Sequence, residues 1–226
     1  MNKIKYYFTN KSDGNLAYHV NDDIKNVNKN REKLAIKLGF KNQDLVYMNQ
    51  VHGNKVIVVN ENSNKLIENC DAIITASKNL PLMVMVADCI PILMFDENKE
   101  VIAAIHAGRN STFLKIAQIT AQKMISEFNC EASNLKVIMG PSIKKCCYEV
   151  SDELALIVES SFGKEFVKNR YIDLQGINKM LLENIGVKDI QISDICTKCS
   201  NKPYFSYRQD KSCGRFAGVI WQWFNK

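Results

Sequence analysis

The 226-residue sequence is poor in histidine, proline and tryptophan, with three, four and two of each. Three imidazoles in all exclude chemistry that needs a large histidine set, such as the several copper centres of an oxidase that reduces dioxygen. Four scattered prolines, and no Pro-rich or Ser-rich stretch, leave nothing that reads as a linker. One domain over residues 1–226 is therefore expected, long enough to bury its own core. A long apolar run is also missing. The nearest approach, Leu80 to Phe95, is interrupted by Asp88 and by two prolines and is unfit to span a bilayer. The opening MNKIKYYFTN has no apolar h-region and no small-residue cleavage site, which predicts a cytoplasmic protein with no membrane attachment. No basic block with interleaved aromatics occurs in the formal charge of +6, an argument against nucleic acid that leaves small anions such as phosphate as partners.

Cysteine, in contrast, is plentiful. Eight cysteines in a chain expected to meet a reducing compartment read as packed thiols, ligands or nucleophiles rather than as disulfides. The vicinal pair Cys146-Cys147 would be strained as a bridge and reads as packed or site-lining thiols. Cys196 and Cys199, in CTKCS, have zinc-knuckle spacing with Cys213 not far downstream, but no second well-spaced pair.

The hydrophobic pattern is mixed. Residues 22–38 place Ile24, Val27, Arg31, Leu34, Ala35 and Leu38 on one helical face, with Gly39 past the end. Residues 46–59, YMNQVHGNKVIVV within them, read as two strands around a tight connection carrying His52 and Gly53. DAIITA (71–76), the run 81–95 and EVIAAIHA (100–107) read as strands, the last two joined by DENK as an antiparallel hairpin. A helix is predicted over 111–128, capped by Ser111 or Thr112, with Phe113, Ile116, Ala117, Thr120, Met124 and Phe128 on one face. LKVIMG (135–140) and DIQISDIC predict further strands, 151–162 and 174–186 helices, and FAGVIWQWF a strand or short helix. This predicts an α/β (α+β) fold, a single layered domain of mixed β-sheets flanked by helices.

Three segments offer matching ligands: His52 on a turn, Cys89 where Pro91 interrupts a buried strand, and His106 at the end of a neighbouring strand. Two imidazoles and a thiolate suit one zinc ion better than copper, and a fourth position left open is the catalytic arrangement. The residues lie 37 and 17 apart, so spacing alone identifies nothing. Asp88 could orient a ligating histidine or cap a turn. Gly108 lies at a strand-to-helix junction, where free N–H groups suit an anion. A cysteine hydrolase using Cys89 with a histidine is the alternative on residue type, and a copper-dependent polyphenol oxidase a second one.

NQVHG, ADCIPI, IHAGR, GPSIKKCCYEV and SDICTKCSNKPYFSYRQDKSCGRFAGVI, preceded by LAYHVNDD and NREKL, resemble in order the motif blocks of a family formerly described as multicopper polyphenol oxidase or laccase-like and now regarded as zinc-dependent purine nucleoside phosphorylases, with relatives linked to peptidoglycan editing. The resemblance implies a single α/β domain and one catalytic metal on His52, Cys89 and His106. It also implies phosphorolysis of adenosine, inosine and methylthioadenosine to base and ribose 1-phosphate, with adenosine deamination as a second activity, in a monomer or small oligomer. Phosphorolysis needs positive groups and N–H donors around phosphate, for which Gly108, Arg109, Arg208 and Arg215 are candidates. Glu149 is a candidate acid or base, and Tyr148 and Phe205 could face a purine. The chain departs from the family where Arg109 replaces a tryptophan, Asn110-Ser111 replace an Arg-Gly pair, and Lys11 replaces an arginine in a shortened N-terminal loop. His19, in that block, reads as structural.

Overall fold

The computed structural model describes residues 4–223; residues 1–3 and Phe224 onward, part of the opening and closing segments read above, lie outside it. Strands and helices are numbered in chain order. One sheet runs β1 (Ile4–Phe8), β13 (Phe216–Gln222), β6 (Leu82–Val86), β2 (Val46–Met48), β4 (Leu66–Ile67). The other runs β12 (Asp189–Ile192), β9 (Lys136–Met139), β7 (Ile90–Asp96), β8 (Val101–Ala107), β5 (Ala72–Thr75), β3 (Val56–Val58). A two-stranded ribbon, β10 (Val167–Lys168) with β11 (Tyr171–Ile172), stands apart. Both large sheets mix parallel and antiparallel pairs.

The period-2 alternation of the strands decides the layering. In β13, Phe216 and Ile220 enter the layer between the sheets, while Ala217, Val219 and Trp221 face outward beneath α1 (Ile24–Leu38). In β8, Ile102 and Ala104 enter the same inter-sheet layer, and Val101, Ala103, Ile105 and Ala107 pack the opposite face. That face is covered by α2 (Arg109–Phe113), α3 (Ile116–Phe128), α4 (Asp152–Phe162) and α5 (Leu174–Glu183). The result is four layers, helix, sheet, sheet, helices, with three apolar interfaces. By the same alternation His106 falls on the inter-sheet face of β8, at its end.

Helix α1 forms as its sequence predicts. Asp23 caps it by accepting from Lys25 N–H, and Gly39 closes it at φ 82°, the left-handed region glycine enters without a Cβ penalty. Its buried Arg31 lies between the rings of Tyr18 and Tyr47, 4.2 and 4.1 Å from their centroids, and donates from Nε to the Leu16 carbonyl at 2.8 Å. The β7–β8 hairpin also forms as expected.

Two expectations are corrected. The helix over 111–128 is broken: α2 ends at Phe113, and Lys115, at φ 61°, redirects the chain into α3. Ser111 and Thr112 are therefore buried inside α2 rather than capping it, and Gly108 is its N-cap, with no side chain to bond. The apolar period runs through the break because both pieces pack on the same sheet face. Second, β2 and β3 flank the His52 turn but belong to different sheets, so that turn is a passage between layers. FAGVIWQ resolves as a strand. Among the described residues no helix is long and apolar enough to cross a membrane.

Candidate metal centre

The chain passes from the five-stranded to the six-stranded sheet three times, between β2 and β3, β4 and β5, and β6 and β7. His52 sits on the first passage and Cys89 on the third; His106 comes to meet them along β8. Their donor atoms all lie within 4.8 Å of one another. Cys89 Sγ is 3.9 Å from His52 Nε2, and the two imidazoles stand edge to face with centroids 4.7 Å apart. His106 is buried and His52 is exposed, so the group opens to solvent on one side.

The residue that organises the group is Asp71, which no sequence pattern singled out. Its Oδ1 accepts from His52 N–H at 2.9 Å, its Oδ2 from Gly53 N–H at 2.7 Å, and Oδ1 lies 2.7 Å from His106 Nδ1. Its carbonyl also accepts His106 N–H at 2.7 Å. One carboxylate thus fixes the turn that bears one imidazole, held at φ 59° at His52, and the ring of the other. Burial would raise the Asp71 carboxyl, but the His106 bond and the turn N–H groups overcome it and hold it below the usual range. A carboxylate only accepts, so Nδ1 of His106 carries the donated proton and Nε2 faces the sulfur. Register explains the placement: Ala72 pairs with Ile105, which sets Asp71 opposite His106.

Electrostatically Cys89 and His106 act on each other. Burial alone would push the thiol up, yet the imidazoles, His106 foremost, bring it down to about 6. Burial would lower His106, yet Cys89 and then Asp71 lift it to about 9. Without a bound cation the pair is a thiolate beside an imidazolium. Two ring nitrogens and a sulfur within reach of one point, one imidazole backed by a carboxylate, fit a borderline-soft cation that favours nitrogen and sulfur.

Gly108 touches all three ligands. A Cβ there would come 2.9 Å from His52 Cδ2, 3.0 Å from Cys89 Sγ and 3.6 Å from His106 Cε1. The helix that Gly108 opens is five residues long, and the absence of a Cβ leaves room for the three candidate ligands.

Asp88 is also corrected. It does not hold a histidine; at φ 87° it accepts from Thr197 Oγ1 and from Arg208 N–H, each at 2.7 Å, and its carbonyl accepts Ile143 N–H. It ties the segment 193–215 to the Cys89 passage. Glu149 lines neither cavity at the site, since its carboxylate pairs with Arg170 and only its carbonyl reaches inward, accepting from Arg208 Nη1 at 3.0 Å. Phe205 packs into the inter-sheet core.

Two cavities meet at His52 and Cys89. The larger, about 460 Å³, is lined by His19, Gln50, Met85, His106, Tyr207 and Arg215 among others, a size typical of small-molecule sites. The smaller, about 220 Å³, carries Arg109, Asn110, Tyr148 and Arg208. The Arg208 guanidinium lies over the Tyr148 ring, 5.0 Å from its centroid. His19 is thus on a cavity wall; burial, then Arg215 and Arg31, lower its pKa, which keeps the ring neutral. Gln50 extends β2 with its side chain, exchanging bonds with Met85 N–H and carbonyl at 2.9 and 2.8 Å. Its place beside His52 in NQVHG was the only signal for it.

These features define a layered α/β protein whose candidate mononuclear centre, two imidazoles and a thiolate, opens on a small-molecule cavity. The chain belongs to the family described as multi-copper polyphenol oxidoreductase laccase, whose model matches residues 6–223. A purine nucleoside phosphorylase of Clostridium acetobutylicum is 34% identical over 223 residues, 96% of this chain and 92% of that protein. One of Corynebacterium glutamicum is 35% identical over 214 residues, 92% and 86% of the two chains. The crystal structure of YlmD from Geobacillus stearothermophilus superposes with a TM-score of 0.91 at 26% identity, covering 98% of this chain and 93% of that one.

Proposed function

We propose that the protein is a zinc-dependent purine nucleoside phosphorylase, with His52, Cys89 and His106 holding one zinc ion. The observation that carries this is the convergence of the three donors where a nucleoside-sized cavity meets a pocket with two arginines. Relatives named purine nucleoside phosphorylase support the substrate class. A bound zinc ion would supply a Lewis-acid charge at that junction.

The chain's own groups supply the rest. Arg109 and Arg208 bind phosphate in the smaller pocket, Arg208 held flat by Tyr148 and by the Glu149 carbonyl. The nucleoside occupies the larger cavity, where neutral His19 offers the purine a donor and an acceptor and Tyr207, at the boundary, a ring face. In phosphorolysis a phosphate oxygen bonds the ribosyl C1′, the bond from C1′ to the base nitrogen breaks with its electron pair on the base, and a proton returns there. Holding both reactants removes much of the entropic barrier. Deamination of adenosine is the lesser activity, because it needs a mobile proton carrier at the purine and the two carboxylates beside the ligands, Asp71 and Asp88, are committed to fixed bonds.

One observation favours a second reading. Cys89 thiolate, His106 and Asp71 are arranged like the nucleophile, base and orienting carboxylate of a cysteine hydrolase. Incubation of adenosine, inosine and methylthioadenosine with and without phosphate, followed by chromatography, separates the readings. Phosphate-dependent release of base and ribose 1-phosphate, lost by at least 100-fold in Cys89→Ala and after metal removal, is expected. Turnover by the metal-free protein that is blocked by alkylating Cys89 would establish the hydrolase instead.

A further inference from the structure

Four other cysteines converge away from the first centre. Cys146, Cys147, Cys196 and Cys199 bring their sulfurs within 4.8 Å of one another, with Cys146 and Cys199 Sγ 3.6 Å apart. Four thiolates around zinc, each at about 2.3 Å and at tetrahedral angles, stand about 3.8 Å apart. A disulfide would bring one pair to about 2.05 Å and leave the other two sulfurs without a partner. Cys213, the downstream cysteine of the knuckle-like segment, stays outside and lies beside Arg215. The second pair that CTKCS lacked in the sequence is the vicinal Cys146-Cys147.

Backbone N–H groups of Lys144, Lys198 and Cys199 surround the Cys196 sulfur. Lys144 and Lys145 donate their ammonium groups to the neutral carbonyls of Ser193 and Glu165. Their charge is therefore free to offset the two net negative charges of a zinc ion with four thiolates. Cys146 also lines a cavity of about 380 Å³ with Lys145, Lys168, Asn169 and Tyr171, a route by which an ion reaches the sulfurs.

We propose that Cys146, Cys147, Cys196 and Cys199 bind a second zinc ion in a closed, structural site that clasps the loop after β9 to the loop after β12. Four protein ligands leave no position for substrate. The clasp reaches the first centre from two sides. Tyr148, next to Cys147, lines the arginine pocket, and Thr197, next to Cys196, bonds the Asp88 carboxylate beside Cys89. The backbones already run together there, Thr197 N–H donating to the Ser142 carbonyl at 3.1 Å.

The test is elemental analysis of protein purified under reducing conditions, together with cobalt loading. Wild type is expected to carry two zinc ions per chain. Cys89→Ala should keep one, and its cobalt form should show intense tetrahedral absorption and sulfur-to-cobalt charge transfer. Adding Cys199→Ser to Cys89→Ala should abolish both that signature and the remaining ion. Because Cys89→Ala leaves the four sulfurs untouched, the test stands even if Cys199→Ser fails to fold, and failure of nucleoside cleavage does not bear on it. A Cys89→Ala protein without metal, iron on the four sulfurs, or a Cys146–Cys199 disulfide found by peptide mapping of wild type would each overturn the proposal.

Discussion

A methyl group is the smallest change that separates the roles of the residues around the first centre. Gly108 has an ordinary φ of −76°, so alanine there strains no backbone. Its Cβ would nevertheless press on His52 and Cys89 at 2.9 and 3.0 Å, closer than such contacts tolerate. Gly108→Ala is expected to leave far-UV circular dichroism unchanged while weakening zinc binding about 10–100-fold, the range seen when the groups that orient a metal's ligands are disturbed. Calorimetric titration of the apoprotein checks this, and unchanged affinity would show that the ligands do not converge as described. The sequence made the three candidate ligands visible because histidine is scarce and each sits in a distinctive block. Asp71 stayed hidden because its role depends on pairing with a strand 35 residues away, and the close approach of Gly108 to His52 and Cys89 was hidden because a strand-to-helix junction does not reveal in sequence what packs against it.

Among elements, the segment 193–215 carries no helix or strand and supplies Tyr207, Arg208 and Arg215 to the walls of the site. Asp88 secures it with two bonds at 2.7 Å, to Thr197 and Arg208. Its left-handed backbone offers a clean test, since glycine adopts φ 87° without cost. Asp88→Gly relieves about 1 kcal/mol of strain and forfeits two charge-assisted hydrogen bonds worth about 1.5–3 kcal/mol each. Net destabilisation is therefore expected, with faster native-state proteolysis confined to 193–215. Slower cleavage would mean that strain, not the carboxylate, dominates there. Local elements were legible wherever period and punctuation agree, as in α1 with its Asp23 cap and Gly39 stop, or in β7 and β8 around DENK. The break at Lys115 was not, because no glycine marks it and the apolar period continues across it. Nor was the division of β2 and β3 between two sheets, which local pattern does not encode.

For the molecule as a whole, metal, pH and stability are linked. With no metal bound, Cys89 is a thiolate above about pH 6 and His106 keeps its extra proton up to about pH 9. Cation binding must displace that proton, so apparent affinity should rise about tenfold per pH unit across this window, more steeply below it where the thiol is protonated too, and level off above it with respect to His106. A ligand at 100 times its Kd stabilises the folded state by about 2.7 kcal/mol. The rise in Tm on adding zinc should therefore grow from the acid to the alkaline end of the window, as differential scanning fluorimetry would record; a pH-independent rise would rule out proton displacement at this centre.

Strand β13, near the end of the sequence, lies between β1 and β6, hydrogen-bonded to both. A nascent polypeptide still lacking residues 216–222 leaves those two strands as bare apolar edges, and the inter-sheet layer that backs His106 without Phe216 and Ile220. Capture of a cation by His52, Cys89 and His106 is expected only once residues 216–222 have joined the sheet, and until then a chaperone has two unpaired edges to shield.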